Sequence, residues 1–394
     1  MDNRRTIAQD AAKALMVIAV IFFHCFLMSF ESPAEALSTF SILNACFPYV
    51  LGAFFFYAGY NYVPKGRTFK ESIIRRTKQL LIPLAICSVV SIICISSMEL
   101  IVNHDDIGAT FLALGNSILY SLMSEPLALL INFPESGGTV YCMIIALGLM
   151  WYIYCLYICT IFFHLLVEHT NKKLFTLVSV VIGLLTLSFC LGQFVGVYLP
   201  YSIQCYPLVL AIMLTAAYLR QSHFLTKKTT GKKDIVFRAI NVIIGEAIVI
   251  GVSFLAYYQK GAVLTGALLG GRFDPALKGI DVPITYLFAI MGTYIINTTC
   301  RIFRHIPVVG TCLQWVGQRS GIFYLFHPIP LMFVSAIIFQ GKLVLGQGQG
   351  FIYMAFILAT LIPACLLMDF IIKKKHIPTP TKEEIDSNKD PEED

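Results

Sequence analysis

The stretch Asp10-Ala-Ala-Lys13-Ala-Leu-Met-Val-Ile-Ala-Val-Ile-Phe-Phe-His24-Cys-Phe-Leu-Met-Ser29-Phe30 decides the fold. From Ala14 to Phe30 it is apolar except for His24 and Ser29. That is too apolar for an amphipathic surface helix and long enough to span the hydrocarbon core. Lys13 stands where the apolar run begins, and His24 lies well inside it. The eleven-residue spacing is close to three helical turns, so both side chains point to nearly the same face, about 16 Å apart along the axis. An imidazole at that depth is costly and reads first as a functional site. The plainer alternative is a histidine that hydrogen-bonds a neighbouring helix.

Composition extends this reading to the whole chain. Hydrophobic residues make up 57% of the 394 residues and charged residues 13%, with a mean hydropathy of +0.75. A soluble domain is nearer a quarter charged, so a soluble multidomain enzyme is excluded. Apolar runs recur at 12–30, 41–62, 79–103, 141–167, 174–191, 194–218, 236–257, 283–299, 320–339 and 350–372. They predict an all-α polytopic membrane helical bundle of about ten transmembrane helices. Gly192 and Gln193 alone separate the 174–191 and 194–218 runs. The first run is too long for a signal-peptide core, and no small-residue cleavage site follows it cleanly.

The connecting segments set the orientation. With the N-terminus cytoplasmic, the inside segments hold all of the 29 Lys and Arg residues except Lys260, Arg272, Lys278 and Lys342. The positive-inside rule therefore puts both termini in the cytoplasm and the chain in the plasma or inner membrane as a multi-pass protein. A transmembrane domain over residues 1–372 is followed by a basic-then-acidic cytoplasmic tail, 373–394, expected to be disordered. No soluble catalytic domain is expected at either end. Two segments, His104–Thr139 and Gln259–Asp281, read as long external loops. They are candidate substrate-binding elements, or else helical lids lying on the bilayer. The net charge of +6 carries no sign of nucleic-acid binding. The 12 cysteines lie mostly within apolar runs and show no paired ligand spacing. Buried thiols are expected, with neither a disulfide framework nor a metal site.

Depth singles out three ionisable groups. His327 lies eight residues above Arg319, and Glu246 eight above Arg238. With His24 they fall roughly 12–16 Å into the membrane. Groups at a common depth on different helices are expected to meet in one cavity rather than face lipid. A His paired with a carboxylate is the usual way to orient a general base. Structural roles for Glu246 and His327 remain the alternative. At the inner mouth, Arg67, Lys70, Arg75, Arg76 and Lys78 crowd the segment Gly66–Pro83. The tight Arg75, Arg76 and Lys78 group exceeds what topology requires and suits phosphate binding.

Several motifs together resemble integral-membrane acyltransferase family 3, which includes O-acetyltransferases of O-antigens, exopolysaccharides and nodulation factors. Lys13 followed by His24 is similar to its basic-residue-x10-His element. Phe54-Phe55-Phe56-Tyr57-Ala58-Gly59-Tyr60, with Arg75-Arg76-Thr77-Lys78-Gln79-Leu80-Leu81-Ile82-Pro83, resembles its aromatic-Ser-Gly-aromatic run and Arg-rich stretch. Ser320-Gly321-Ile322-Phe323-Tyr324-Leu325-Phe326-His327 is like its late Ser-x-x-Ile-Tyr-Leu-x-His helix, and Trp151-Tyr152 resembles its Trp-aromatic segment. The likeness covers residues 6–372 in order. Lys13 stands where Arg is commoner, Ala58 where Ser is frequent, and Gln79 where a second Arg is expected.

The resemblance implies an acyltransferase of groups other than aminoacyl groups. It would move an acetyl group from cytoplasmic acetyl-CoA to a hydroxyl of a cell-surface glycan or other envelope molecule. No permanently bound cofactor is implied, and acetyl-CoA is the acyl donor. His24, with Glu246 and His327, would be catalytic. Lys13, Arg75, Arg76 and Lys78 would hold the coenzyme A phosphates. Two other readings stand beside it. One is a secondary transporter with a midplane His/Glu proton relay, which leaves the cation cluster unexplained. The other is an inactive acyltransferase-like sensing module.

Overall fold

The computed structural model describes residues 7–27, 47–62, 68–102, 107–123, 150–170, 173–194, 200–225, 232–260, 281–303, 307–330 and 349–374. Among the described residues all regular structure is helical: α1 Ile7–Leu27, α2 Val50–Tyr60, α3 Phe69–Arg76, α4 Ile82–Val102, α5 Ile107–Met123, α6 Met150–Thr170, α7 Leu174–Phe194, α8 Tyr206–Gln221, α9 Lys232–Lys260, α10 Asp281–Phe303, α11 Pro307–Gln318, α12 Ser320–Phe326 and α13 Gln349–Lys374. Five helices in this set are long and apolar enough to cross a membrane, and shorter apolar helices accompany them. The chain is an all-α polytopic membrane protein.

Helix α8 lies at the centre. Its residues from Tyr206 to Leu214 are all buried, as expected of a helix that is apolar all round. It packs on α2, α6, α7 and α10. The contact with α2 is backbone-close: a Cβ on Gly59 would lie 2.3 Å from the Met213 carbonyl oxygen. The glycine of the aromatic-Gly-aromatic run is thus a packing requirement, in keeping with small residues at membrane helix interfaces. Helix α1 lies against α2, α10, α11, α12 and α13. Here Gly317 of α11 meets α1, and a Cβ on it would fall 1.8 Å from the Asp10 carbonyl oxygen.

The cation-rich segment differs from its predicted form. The span expected over 79–103 begins at Phe69. Helix α3 opens with a capping box, in which Thr68 Oγ1 accepts from the Glu71 N–H at 3.3 Å and the Glu71 carboxylate accepts from the Thr68 N–H at 3.0 Å. It then runs through a π turn, Thr77–Leu81, into α4. Pro83 accounts for the irregularity. Its ring collides with the carbonyl four residues back in a regular helix and it offers no N–H; a π turn is one way a helix absorbs such a defect. Arg75, Arg76 and Lys78 therefore sit on the spanning rod itself.

Other boundaries shift as well. Within the run predicted at 194–218, Pro200–Cys205 is a 3-10 turn, and α8 follows with Pro207 in its first turn. Part of the predicted external segment His104–Thr139 is helix α5, packed along α4. Its Ile107, Phe111 and Leu112 are exposed. Residues 261–280 of the other external segment, and 375–394 of the tail, lie outside the described residues.

Candidate active site

His24 reaches the site from the last turn of α1, and His327 from the residue that ends α12. Their rings lie nearly parallel, 20° apart with centroids at 5.2 Å. His24 Nδ1 is 3.1 Å from His327 Nε2. The His327 side chain is fully buried, and its Nδ1 lies 2.9 Å from the Tyr324 carbonyl oxygen and 3.1 Å from that of Phe323. A run of aromatic rings leads away from His327. Tyr324 abuts His327, Tyr152 of α6 meets Tyr324 with centroids at 5.1 Å, and Phe55 of α2 meets Tyr152 at 4.7 Å. From α4, Cys87 Sγ–H donates to the Leu325 carbonyl at 2.8 Å. The pair supplied by α1 and α12 is thus reached by a run of rings from α2 and α6, and α4 is bonded to α12 two residues before His327.

Three turns below, a second polar group leads toward the other end of the bundle. Lys13 Nζ lies 5.7 Å from the centroid of the Tyr57 ring, within cation–π range. Tyr57 donates to Asn297 Oδ1 at 3.3 Å. Asn297 Nδ2 donates in turn to the Leu225 carbonyl at 3.1 Å, and Arg301 donates to the same oxygen. The Leu225 N–H donates to the Tyr60 hydroxyl at 3.2 Å. The peptide after α8 is thereby tied to α2 and α10.

The expected meeting of three ionisable groups is corrected in one respect. His24 and His327 come together, but Glu246 does not join them. Both its oxygens accept from the Tyr49 hydroxyl, each at 3.2 Å. Tyr49 belongs to a separate apolar cluster with Val249, Phe288 and Ile295. Helix α9, which carries Glu246, packs on α10. The partner of His24 is a second imidazole and not a carboxylate. Glu246→Gln keeps an acceptor oxygen for Tyr49 and is expected to leave turnover near wild type. A collapse of turnover in folded Glu246→Gln protein would return Glu246 to the site.

The family model of an acyltransferase domain, acyltransferase family 3, matches residues 7–369. The chain belongs to this family. No curated protein and no solved structure matches it. Membership makes this protein a membrane acyltransferase, with a donor and an acceptor to hold.

In this acyltransferase the predicted cations form two groups with different neighbours. Lys13 sits against Tyr57 inside the bundle. Arg75 and Lys78 are exposed and Arg76 is half-buried around the π turn. That turn is held to α6 by Thr77 Oγ1 and the Tyr157 hydroxyl at 2.9 Å. Tyr57, Asn297 and Tyr49 were not predicted as site residues. An Asn inside the apolar run of α10 was the one local signal that could have pointed to the Tyr57–Asn297 link.

Proposed function

We propose that the protein is an O-acetyltransferase of the plasma or inner membrane. It takes an acetyl group from cytoplasmic acetyl-CoA and places it on a hydroxyl of a surface glycan or another envelope molecule. The observation that carries this reading is the His24–His327 pair at 3.1 Å, with His24 on the same helix as Lys13, in a protein of acyltransferase family 3. A neutral imidazole in such surroundings suits the removal of a proton from an attacking hydroxyl.

The donor supplies the acetyl group as a thioester. Arg75, Arg76 and Lys78 suit its phosphates: two of the three are exposed, and grouped cations favour phosphate oxygens. Lys13 marks the inner end of the same path, three turns below His24. His24 accepts the proton of the acceptor hydroxyl, and the Phe55, Tyr152 and Tyr324 rings limit the access of water to the site. The transmembrane domain of 1–372 would carry the whole reaction, with 373–394 as a cytoplasmic tail.

The test is acetyl transfer from radiolabelled acetyl-CoA by purified protein in liposomes, with envelope extract as the acceptor. Label in a glycan or lipid-linked fraction supports the reading. Proton-coupled solute uptake without any acetyl transfer would overturn it.

Replacing Arg75, Arg76 and Lys78 together by Ala is expected to raise KM for acetyl-CoA and leave the KM for the acceptor unchanged. The wild-type donor KM should also rise with ionic strength, because exposed charge contacts are screened over about 10 Å at 0.1 M salt. A folded triple variant with unchanged donor KM would remove these cations from the donor site.

A further inference from the structure

The His-Pro dipeptide at the end of α12 has a consequence for the other histidine. In a regular helix the N–H of residue 328 would bond the Tyr324 carbonyl, but Pro328 has no N–H. The Phe323 carbonyl already accepts from the His327 backbone N–H at 3.2 Å. The His327 side chain meets Tyr324 O, with Nδ1 2.9 Å away, and Phe323 O at 3.1 Å. A carbonyl oxygen only accepts. A bare Nδ1 lone pair would face two carbonyl oxygens in a fully buried place, so in the neutral ring Nδ1 carries the hydrogen. Nε2 of His327 then carries the lone pair, and it faces His24 Nδ1 at 3.1 Å. His24 must donate there through Nδ1–H. A neutral His24 with its hydrogen on Nδ1 has its lone pair on Nε2.

We propose that His327, oriented by the carbonyl that Pro328 leaves without its helical donor, is a positioning residue that fixes the tautomer of His24 and makes Nε2 the atom that takes the substrate proton. This rests on the reading of His24 as the general base. The chain of donors runs from His24 Nδ1–H to His327 Nε2, and from His327 Nδ1–H to the Tyr324 carbonyl. When Nε2 takes a proton, the charge on His24 is stabilised through Nδ1–H by a ring that is itself anchored to the backbone. His24 Nε2 takes the substrate proton as the hydroxyl oxygen bonds the acetyl carbon and the carbon–sulfur bond breaks, and the proton then passes to the leaving thiolate of coenzyme A; no other bond in the pair need change.

The tautomer can be read without any activity. Wild-type protein labelled at the histidine ring nitrogens and held in lipid bilayers is examined by solid-state NMR near neutral pH. A through-hydrogen-bond correlation between two imidazole nitrogens picks out this pair among the 8 histidines. The expected donor is an Nδ1 and the expected acceptor an Nε2. A pair linked from Nε2–H to Nδ1, or no linked pair, would overturn the proposal, whatever acetyl transfer the protein shows.

Pro328→Ala restores a backbone donor to Tyr324 O in competition with His327. It is expected to lower kcat on the order of tenfold, inside the roughly 10²–10⁴ that a general base supplies, and to leave both KM values unchanged. The same variant should show a mixed tautomer at His24. Unaltered kcat and an unaltered tautomer in folded Pro328→Ala protein would overturn the part assigned to Pro328. A pure Nδ1–H donor in wild-type protein that transfers no acetyl group would leave the tautomer standing and sink the proposed function alone.

Discussion

His24→Ala is expected to lower acetyl transfer by about 10²–10⁴-fold, the range a positioned general base contributes, while the protein still inserts and purifies as folded material. The two effects separate for a physical reason. Helix α1 is held by Ala11, Ala14, Val17 and Ile21, each 1% exposed or less, and by its close contact with Gly317. None of these depends on the imidazole. The truncation leaves one acceptor, His327 Nε2, without its donor. That costs about 1–3 kcal/mol at most, on a ring that keeps its backbone anchor. Turnover measured beside size-exclusion and thermal-melting profiles checks the result. Folded His24→Ala protein with wild-type turnover would remove His24 from the chemistry.

The second large effect is on stability. Gly317→Ala puts a methyl group 1.8 Å from the Asp10 carbonyl oxygen and 2.4 Å from its carbon. The obstacle is helix backbone, which has no rotamer to change, so α1 and α11 must move apart. Overpacking of this kind costs about 1–3 kcal/mol and sometimes more. Asp10 lies one turn from Lys13, so the movement also displaces the face that carries Lys13 and His24. A clear drop in melting temperature is expected, with activity lost in parallel. Gly321→Ala is the control: a Cβ there meets nothing within 4 Å, and wild-type stability is expected. Equal melting temperatures for the two variants would contradict the close approach of α1 and α11.

What the sequence revealed and what it concealed follow from the reach of each signal. The class of fold, and the shared face of Lys13 and His24, were legible because both depend on spacing within one helix. The common depth of His24 and His327 was legible for the same reason. Which groups at that depth touch is a matter of rotation about each helix axis and of neighbour order, and hydropathy reports neither. Glu246 therefore lies against Tyr49 and not against the histidines. The Tyr57–Asn297 bond joins residues 240 apart, and nothing local announces such a pair. The early start of the α3–α4 rod was hidden because Phe69–Arg76 is too polar to extend an apolar run, although Thr68 and Glu71 have the spacing of a capping box. For the segment that holds α5 the sequence leaves loop and helical lid both open, because Gly108, Gly115 and Asn116 dilute its apolar pattern.

The π turn at Thr77–Leu81 bears on how this bundle can change over generations. Such a turn holds one residue more than the α-helical repeat allows. Whatever precedes it is therefore turned about 100° around the rod relative to an uninterrupted helix. Arg75 and Arg76 owe their direction to that single surplus residue, while the packed face of α4, from Leu84 and Cys87 onward, is set independently. Loss of one codon between Thr77 and Leu81 would swing the charged end of the rod to a different side and leave the rest of the bundle in register. Descendants of one gene could in this way come to present their cations in different directions while keeping the same apolar core.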